Sequence, residues 1–276
     1  MNVYEIITNQ IVEKLEQGTV PWQKPWNSEL PKNMVSNKEY RGVNLFLLNM
    51  KRFTSPYWLS FKQVNEQGGS VKSGEHGSFV VFYKWVEKTQ GDGFIEEFPI
   101  LRYYKVFNLD QCNGLKFPAP QSKLEFKPIE NCENVISAMP NKPGIEYKDS
   151  AAYYRPLTDT VNLPNKEMFR SIPEYYSTLF HELTHSTGHK NRLDRNTLTD
   201  ICPFGSTNYS KEELIAEMGA SFLCGHTGIE NKTINNSASY IDGWLNRLKN
   251  DKRLLLVAAG QAQKAVDYIL NKREVK

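Results

Sequence analysis

Three of the chain's five histidines fall within nine residues, in the run HELTHSTGH from His181 to His189. His181 and His185 are four apart, so on a helix both imidazoles leave one face and can reach a single ion. Glu182 follows the first histidine directly. That offset sets its carboxylate beside the ion without ligating it, where it can take a proton from an activated water and later return it to a leaving amine. A hydrolytic zinc site has three protein ligands and keeps a fourth position open, so a third ligand is required. The downstream candidates are His189, Asp200, Glu213 and Glu217.

His189 lies just past Gly188 and would have to fold back, which makes it an alternative ligand, a cap or part of a substrate wall. It does not complete a metzincin pattern, which needs histidine where Asn191 stands. Glu213 and Glu217 are again four apart, so one can ligate while the other accepts the N–H of a ligand histidine and holds its tautomer. Read as E-x-x-A-E, with Ala216 inside it, the stretch is similar to the third-ligand helix of several gluzincins. That favours Glu213 as ligand and Glu217 as the alternative ligand or orienting carboxylate, and the reverse assignment stays open.

Helices must hold these side chains. SIPEYYSTLFHELTHSTGH predicts a long one, with Ser171 as its N-cap, Pro173 in the first turn and Gly188 at its end. KEELIAEMGASFLC predicts another amphipathic helix, and one or two more follow from Ser237 onward. Upstream, a helix is expected near residues 130 to 138 and a short strand around Ile145. AAYYRPLTDTVNLP holds two β-rich pieces, one of which must tolerate Pro156 and so belongs at a sheet edge. Such an edge could hold an extended peptide by strand addition, with Tyr153, Tyr154 or His189 as donor to the oxyanion.

In the first half, Val3, Ile7, Ile11 and Leu15 mark an amphipathic helix that stops at Gly18. YRGVNLFLLNMKR predicts a short helix, and Ser60 caps another, FKQVNEQ, that Gly68-Gly69 ends. VKSGEHGSFVVFYKW and EEFPILRYYKVFNL, with GDG between, predict an antiparallel sheet of three or more strands. KFPAPQSKLEFKP has three prolines and no clear period, which marks a linker. The expected organisation is α+β, with an N-terminal domain at 1–118, a linker at 119–128 and a C-terminal domain at 129–276.

Hydrophobic residues at 39% and charged residues at 24% place the chain among globular proteins. No basic leader with an apolar run opens it and no segment is apolar enough for a membrane span. Cys112, Cys132, Cys202 and Cys224 are scattered, with no CxxC pair, so a reducing cytoplasm is expected. Between residues 19 and 84, nine Lys or Arg face four acids among eleven aromatics. Cations neutralise phosphates while rings stack on unpaired bases, so this mixture suits single-stranded nucleic acid; a solvated face over an aromatic core would look the same.

HELTHSTGHKNRLDR followed by EELIAEMGASFL is similar to the zincin-like metallopeptidase domain of ArdC-type antirestriction proteins. PWQKPW, YRGVN, SPYWLSFKQVNEQGGSVKSGEHGS and YYKVFNLDQ resemble that family's N-terminal domain, in the family's order. The resemblance implies an N-terminal domain that binds single-stranded DNA and a C-terminal zinc peptidase whose active-site helix carries HExxH. It also implies carriage on a conjugative plasmid or other mobile element, where the protein shields incoming DNA from host restriction. The same N-terminal domain occurs fused to primases, but no primase motif follows it here. Carried over residue by residue, Trp22, Lys24, Trp26, Tyr40, Arg41, Asn44, Trp58, Lys62 and Lys72 become candidates for the DNA surface. Three rivals remain: a DNA-coating protein whose zinc site does no catalysis, a DNA-dependent protease acting on DNA-bound proteins, and a bare peptidase with no nucleic-acid role.

Overall fold

The computed structural model describes residues 2–21, 30–51, 53–89, 95–115, 128–199, 207–229 and 238–272. Two compact units emerge, Met1–Ile11 with Leu30–Ala119 and Val12–Glu29 with Pro120–Lys276. Of the expected linker, only Pro128 lies within the described residues, as does neither the GDG turn nor Asp200.

Helix α1 (Val3–Glu16) buries Ile7, Ile11 and Leu15, the stripe its spacing prescribes. It ends where Gly18 adopts φ +71° and the Gly18 and Thr19 N–H groups turn back to the carbonyls of Leu15 and Lys14, which only a residue tolerant of that φ allows cheaply. After β1 (Lys32–Asn33) come α2 (Val43–Asn49), β2 (Tyr57–Ser60), α3 (Phe61–Glu66), β3 (Ser70–Val71), β4 (Ser78–Thr89), β5 (Ile95–Asn108) and β6 (Cys112–Asn113). A four-stranded sheet runs β1-β2-β5-β4, antiparallel except for the β1–β2 pair, and β3 pairs with β6. Leu48, Trp58, Val80 and Val106 form its core. Asn44 locks α2 onto β4, accepting from the Val81 N–H and donating to the Val81 carbonyl, both at 2.8 Å. Ser60 caps α3 in a reciprocal box with Gln63, as its place before the helix implied.

The second unit opens with α4 (Pro128–Ala138) and a three-stranded sheet of β7 (Gly144–Glu146), β8 (Tyr153–Arg155) and β9 (Thr160–Asn162), in the order β7-β9-β8. β8 stops one residue short of Pro156 and is an edge strand, as a proline without an N–H requires. Helices α5 (Ile172–Ser186), α6 (Asn196–Thr199), α7 (Thr207–Thr227), α8 (Ala238–Asn250) and α9 (Leu254–Ile269) complete it. The Ser171 hydroxyl accepts from the Glu174 N–H and Pro173 sits in the first turn of α5. One expectation fails: α7 is not amphipathic but buried on every side from Glu212 to Cys224. It packs against α4, α5, α6 and α9, so even its acids from Glu212 to Glu217 have no solvent face. Gly219 makes the close α5–α7 contact possible, since a Cβ there would sit 2.5 Å from Thr184 Cγ2.

Candidate metal centre

α5 carries His181, Glu182 and His185; α7 carries Glu212, Glu213 and Glu217; all six are buried where the two helices meet. The two histidine Nε2 atoms face each other at 3.1 Å. Glu213 closes the triangle, with Oε2 3.6 Å from His181 Nε2 and Oε1 3.5 Å from His185 Nε2. Two donors bound tetrahedrally to zinc lie about 3.3 Å apart, so this spacing is what a divalent cation between the three residues would need. His181, His185 and Glu213 therefore form a set able to hold such an ion. The remaining acids take other places. Glu217 Oε1 lies 3.7 Å from His181 Nδ1, which makes no hydrogen bond among the described residues. Glu212 Oε1 lies 3.4 Å from His185 Nδ1.

The electrostatics agree with the donor set. Burial opposes charge on His181, yet the carboxylates of Glu213, Glu182 and Glu217 overcome it and raise the imidazole to about 10. Burial lifts the Glu182 carboxyl above its ordinary range, against the pull of both histidines and a hydrogen bond from the Tyr154 backbone N–H. That last contact brings edge strand β8 to the carboxylate that would handle protons. The Tyr154 hydroxyl donates to Asp159 at 2.8 Å, and Arg192 grips Asp159 with both terminal nitrogens. Tyr153 donates to Asp149, also at 2.8 Å, so both tyrosine hydroxyls are engaged. His189 accepts the Asn191 N–H at Nδ1, which leaves its proton on Nε2. It lies beyond the end of α5 and does not join the ligand triangle.

The candidates for the DNA surface scatter. Trp22, Lys24 and Trp26 lie outside the described residues. Trp58 is a correction: only 2% exposed, it packs edge-on against Phe53 in the core and offers no face to a base. Tyr40 is half-buried against the same core, and Asn44 has both ends of its amide on the Val81 backbone. Arg41, Lys62 and Lys72 are exposed, Lys62 near Glu66 and Lys72 donating to the Asp110 carbonyl. Sequence reasoning missed a ring-rich face of the β4–β5 ribbon. Phe79 and Tyr83 project from the same side of β4 as Tyr103 and Lys105 from β5, by strand alternation and register. Tyr83 and Tyr103 are about half exposed, Phe79 stacks edge-on with Tyr103 at 5.2 Å, and the Lys105 ammonium lies over the Phe79 ring. The alternation in SFVVFYK and LRYYKVF could have revealed it, had register been known.

A helix bearing HExxH, a second helix supplying the glutamate, and an edge strand beside them define a zincin-like metallopeptidase domain, and residues 130–261 match a family model described in those words. Residues 1–107 match the model of the N-terminal domain of anti-restriction factor ArdC. The chain belongs to the ArdC antirestriction family. It is 36% identical to the crystal structure of antirestriction ArdC from the R388 plasmid, covering 98% of this chain and 97% of that one with a TM-score of 0.81. The Mn(II)-bound form of the same protein gives a TM-score of 0.82 at 36% identity, covering 98% of each chain. An Escherichia coli protein described as DNA primase TraC is 33% identical over 97% of this chain, which spans 27% of its length.

Proposed function

We propose that the chain is an antirestriction protein of a mobile element that binds single-stranded DNA through its first unit and cleaves peptide bonds at a zinc centre in its second. The position of Glu182 carries the peptidase reading. Its carboxylate is buried beside both histidines and the edge strand, and burial raises its pKa above the ordinary carboxylate range, the direction a proton-transferring group requires. Two imidazoles and one carboxylate suit zinc, and the Mn(II)-bound relative supports a divalent ion. When bound, the ion supplies Lewis acidity that polarises a peptide carbonyl and acidifies a water.

The chain's own residues supply the rest. β8 presents its free edge to an extended peptide, the Tyr154 N–H orients one Glu182 oxygen, and Glu182 moves a proton from water to the leaving nitrogen. Of the three candidate donors to the developing oxyanion, both tyrosine hydroxyls already donate to aspartates, which favours the His189 Nε2–H. Asp159 and Arg192 hold Tyr154 in place, Arg192 also donating to the Ser186 carbonyl at the end of α5.

For the DNA half, the support is the exposed ring-and-cation face of β4 and β5, which offers stacking surfaces beside a lysine. Glu182→Gln tests the peptidase. Cleavage of an unfolded protein reporter should fall by about 100-fold or more while metal content stays unchanged; equal cleavage would remove Glu182 from the chemistry. If the same variant still protects incoming DNA in a restricting host, protection comes from coating the strand instead.

A further inference from the structure

The loop that follows the HExxH helix sends back a cation that the peptidase reading does not use. Arg195 is 6% exposed and ends in the α5–α7 seam. Its Nε and Nη2 grip both oxygens of Glu212, Nη1 donates to the Thr187 hydroxyl at 2.6 Å, and Nη2 also donates to the Thr184 carbonyl at 2.9 Å. The Thr197 hydroxyl also donates to Glu212 Oε2. Gly188 permits this return, because a Cβ there would lie 3.0 Å from both Arg195 Nη2 and Leu198 Cδ2. The Arg195 N–H closes the loop on the Gly188 carbonyl at 3.0 Å.

We propose that Arg195 is a positioning residue for the metal centre, fixing Glu212 as the acceptor that holds the His185 tautomer. A carboxylate gripped by a guanidinium is ionised and can only accept hydrogen bonds. Its contact with His185 Nδ1, at 3.4 Å, therefore places the imidazole proton on Nδ1 and leaves the Nε2 lone pair turned toward His181 and Glu213. Arg195 also offsets one of four carboxylates crowded between the helices, and its bonds to the last carbonyls of α5 fix where that helix ends. Ligand His185 thus depends on a side chain ten residues further along, reached through a carboxylate on another helix.

This inference rests on His181, His185 and Glu213 holding a metal, so the test begins with wild-type protein. Metal-free wild type, Arg195→Met, Thr197→Val and Glu212→Gln are each titrated with Zn2+ against a chromophoric chelator, and the Co2+ absorption spectrum of each is recorded. Arg195→Met and Glu212→Gln should each bind about 10- to 100-fold more weakly, with Thr197→Val weakened less and in the same direction. Arg195→Met/Glu212→Gln should be no weaker than the worse single variant, because both act through one carboxylate. The Co2+ bands should shift in the variants, which a loss of stability alone would not cause. If wild type binds and the Glu212 and Arg195 variants match its affinity, or their penalties simply add, the positioning role is wrong while the metal site stands. If wild type takes up no Zn2+, both the site reading and this inference fall. Thr197→Val keeps the test decisive should Arg195→Met fail to fold, since it removes one bond to Glu212 and none to α5; unchanged affinity in it and in Glu212→Gln would refute the proposal.

Discussion

The sharpest test of the α5–α7 seam is a single methyl group. An added Cβ at Gly219 meets Thr184 Cγ2 at 2.5 Å, its Oγ1 at 2.7 Å and its Cβ at 3.1 Å. Carbon atoms pack at about 3.5–4.0 Å, so the helices must part by roughly 1 Å or Thr184 must turn away. Thr184 cannot turn cheaply. It is β-branched, fully buried, and its hydroxyl is bonded to the Phe180 carbonyl at 2.7 Å. Overpacking of this kind costs about 1–3 kcal/mol, and a 2.5 Å contact argues for the upper part of that range. Replacing glycine in a helix returns about 0.5–1 kcal/mol, leaving a net loss of about 2 kcal/mol. At roughly 2–4 °C per kcal/mol, Gly219→Ala should melt about 4–8 °C below wild type. Gly260, exposed in the interior of α9 with nothing within 4 Å of a built Cβ, is the matched control. The same substitution there should raise the melting temperature by about 1–4 °C. Thermal unfolding is followed by circular dichroism with chelator present, so that metal linkage does not mask the difference. Thr184→Ala/Gly219→Ala should lose less than the two single changes added together, because the first removes the two nearest atoms. A Gly219→Ala protein as stable as Gly260→Ala would refute the packing described for the seam.

Four further outcomes are expected. Phe79→Ala and Tyr103→Ala should each weaken binding of a labelled single-stranded oligonucleotide by about 1–3 kcal/mol, while Trp58→Ala should chiefly lower the melting temperature; equal binding by the first two would move the DNA surface elsewhere. Burial raises all three described thiols, Cys132 to about 11, but only Cys112 is partly exposed, so iodoacetamide at pH 8 should label Cys112 before Cys132 or Cys224, read by peptide mass spectrometry. Despite partial burial, bonds from Tyr154 and Arg192 hold Asp159 below its ordinary value of 3.8. A depressed carboxylate stabilises the fold above that value and loses its contribution as pH falls beneath it, so Asp159→Asn should lower stability at pH 7 by roughly 1 kcal/mol and differ little from wild type near pH 2. His189→Ala should reduce turnover of a peptide more than its KM, and no change in turnover would return the oxyanion to other donors.

Several elements could be read directly from local chemistry. The α5 boundaries follow from Ser171, Pro173 and the turn before Gly188; the α3 cap from Ser60 and Gln63; the edge position of β8 from Pro156. Such features depend on backbone hydrogen bonds within a few residues, so spacing alone encodes them. His181, Glu182 and His185 belong to the same class, because a four-residue interval on one helix fixes which side chains share a face. The choice of Glu213 as the residue that closes the triangle was legible only as a preference, since Glu213 and Glu217 both look able to reach α5 until the rotation of α7 is known, and Glu212 was not singled out at all. Tertiary packing set that rotation through the contact of Gly219 with Thr184, and it turned Glu212 toward His185 and Glu217 toward His181. Packing likewise buried α7 on all sides from Glu212 to Cys224, placed Trp58 in the core rather than on a surface, and brought Arg195 back to Glu212 in the α5–α7 seam. Those outcomes join residues far apart in the chain, and no local period records which partners a buried face will meet.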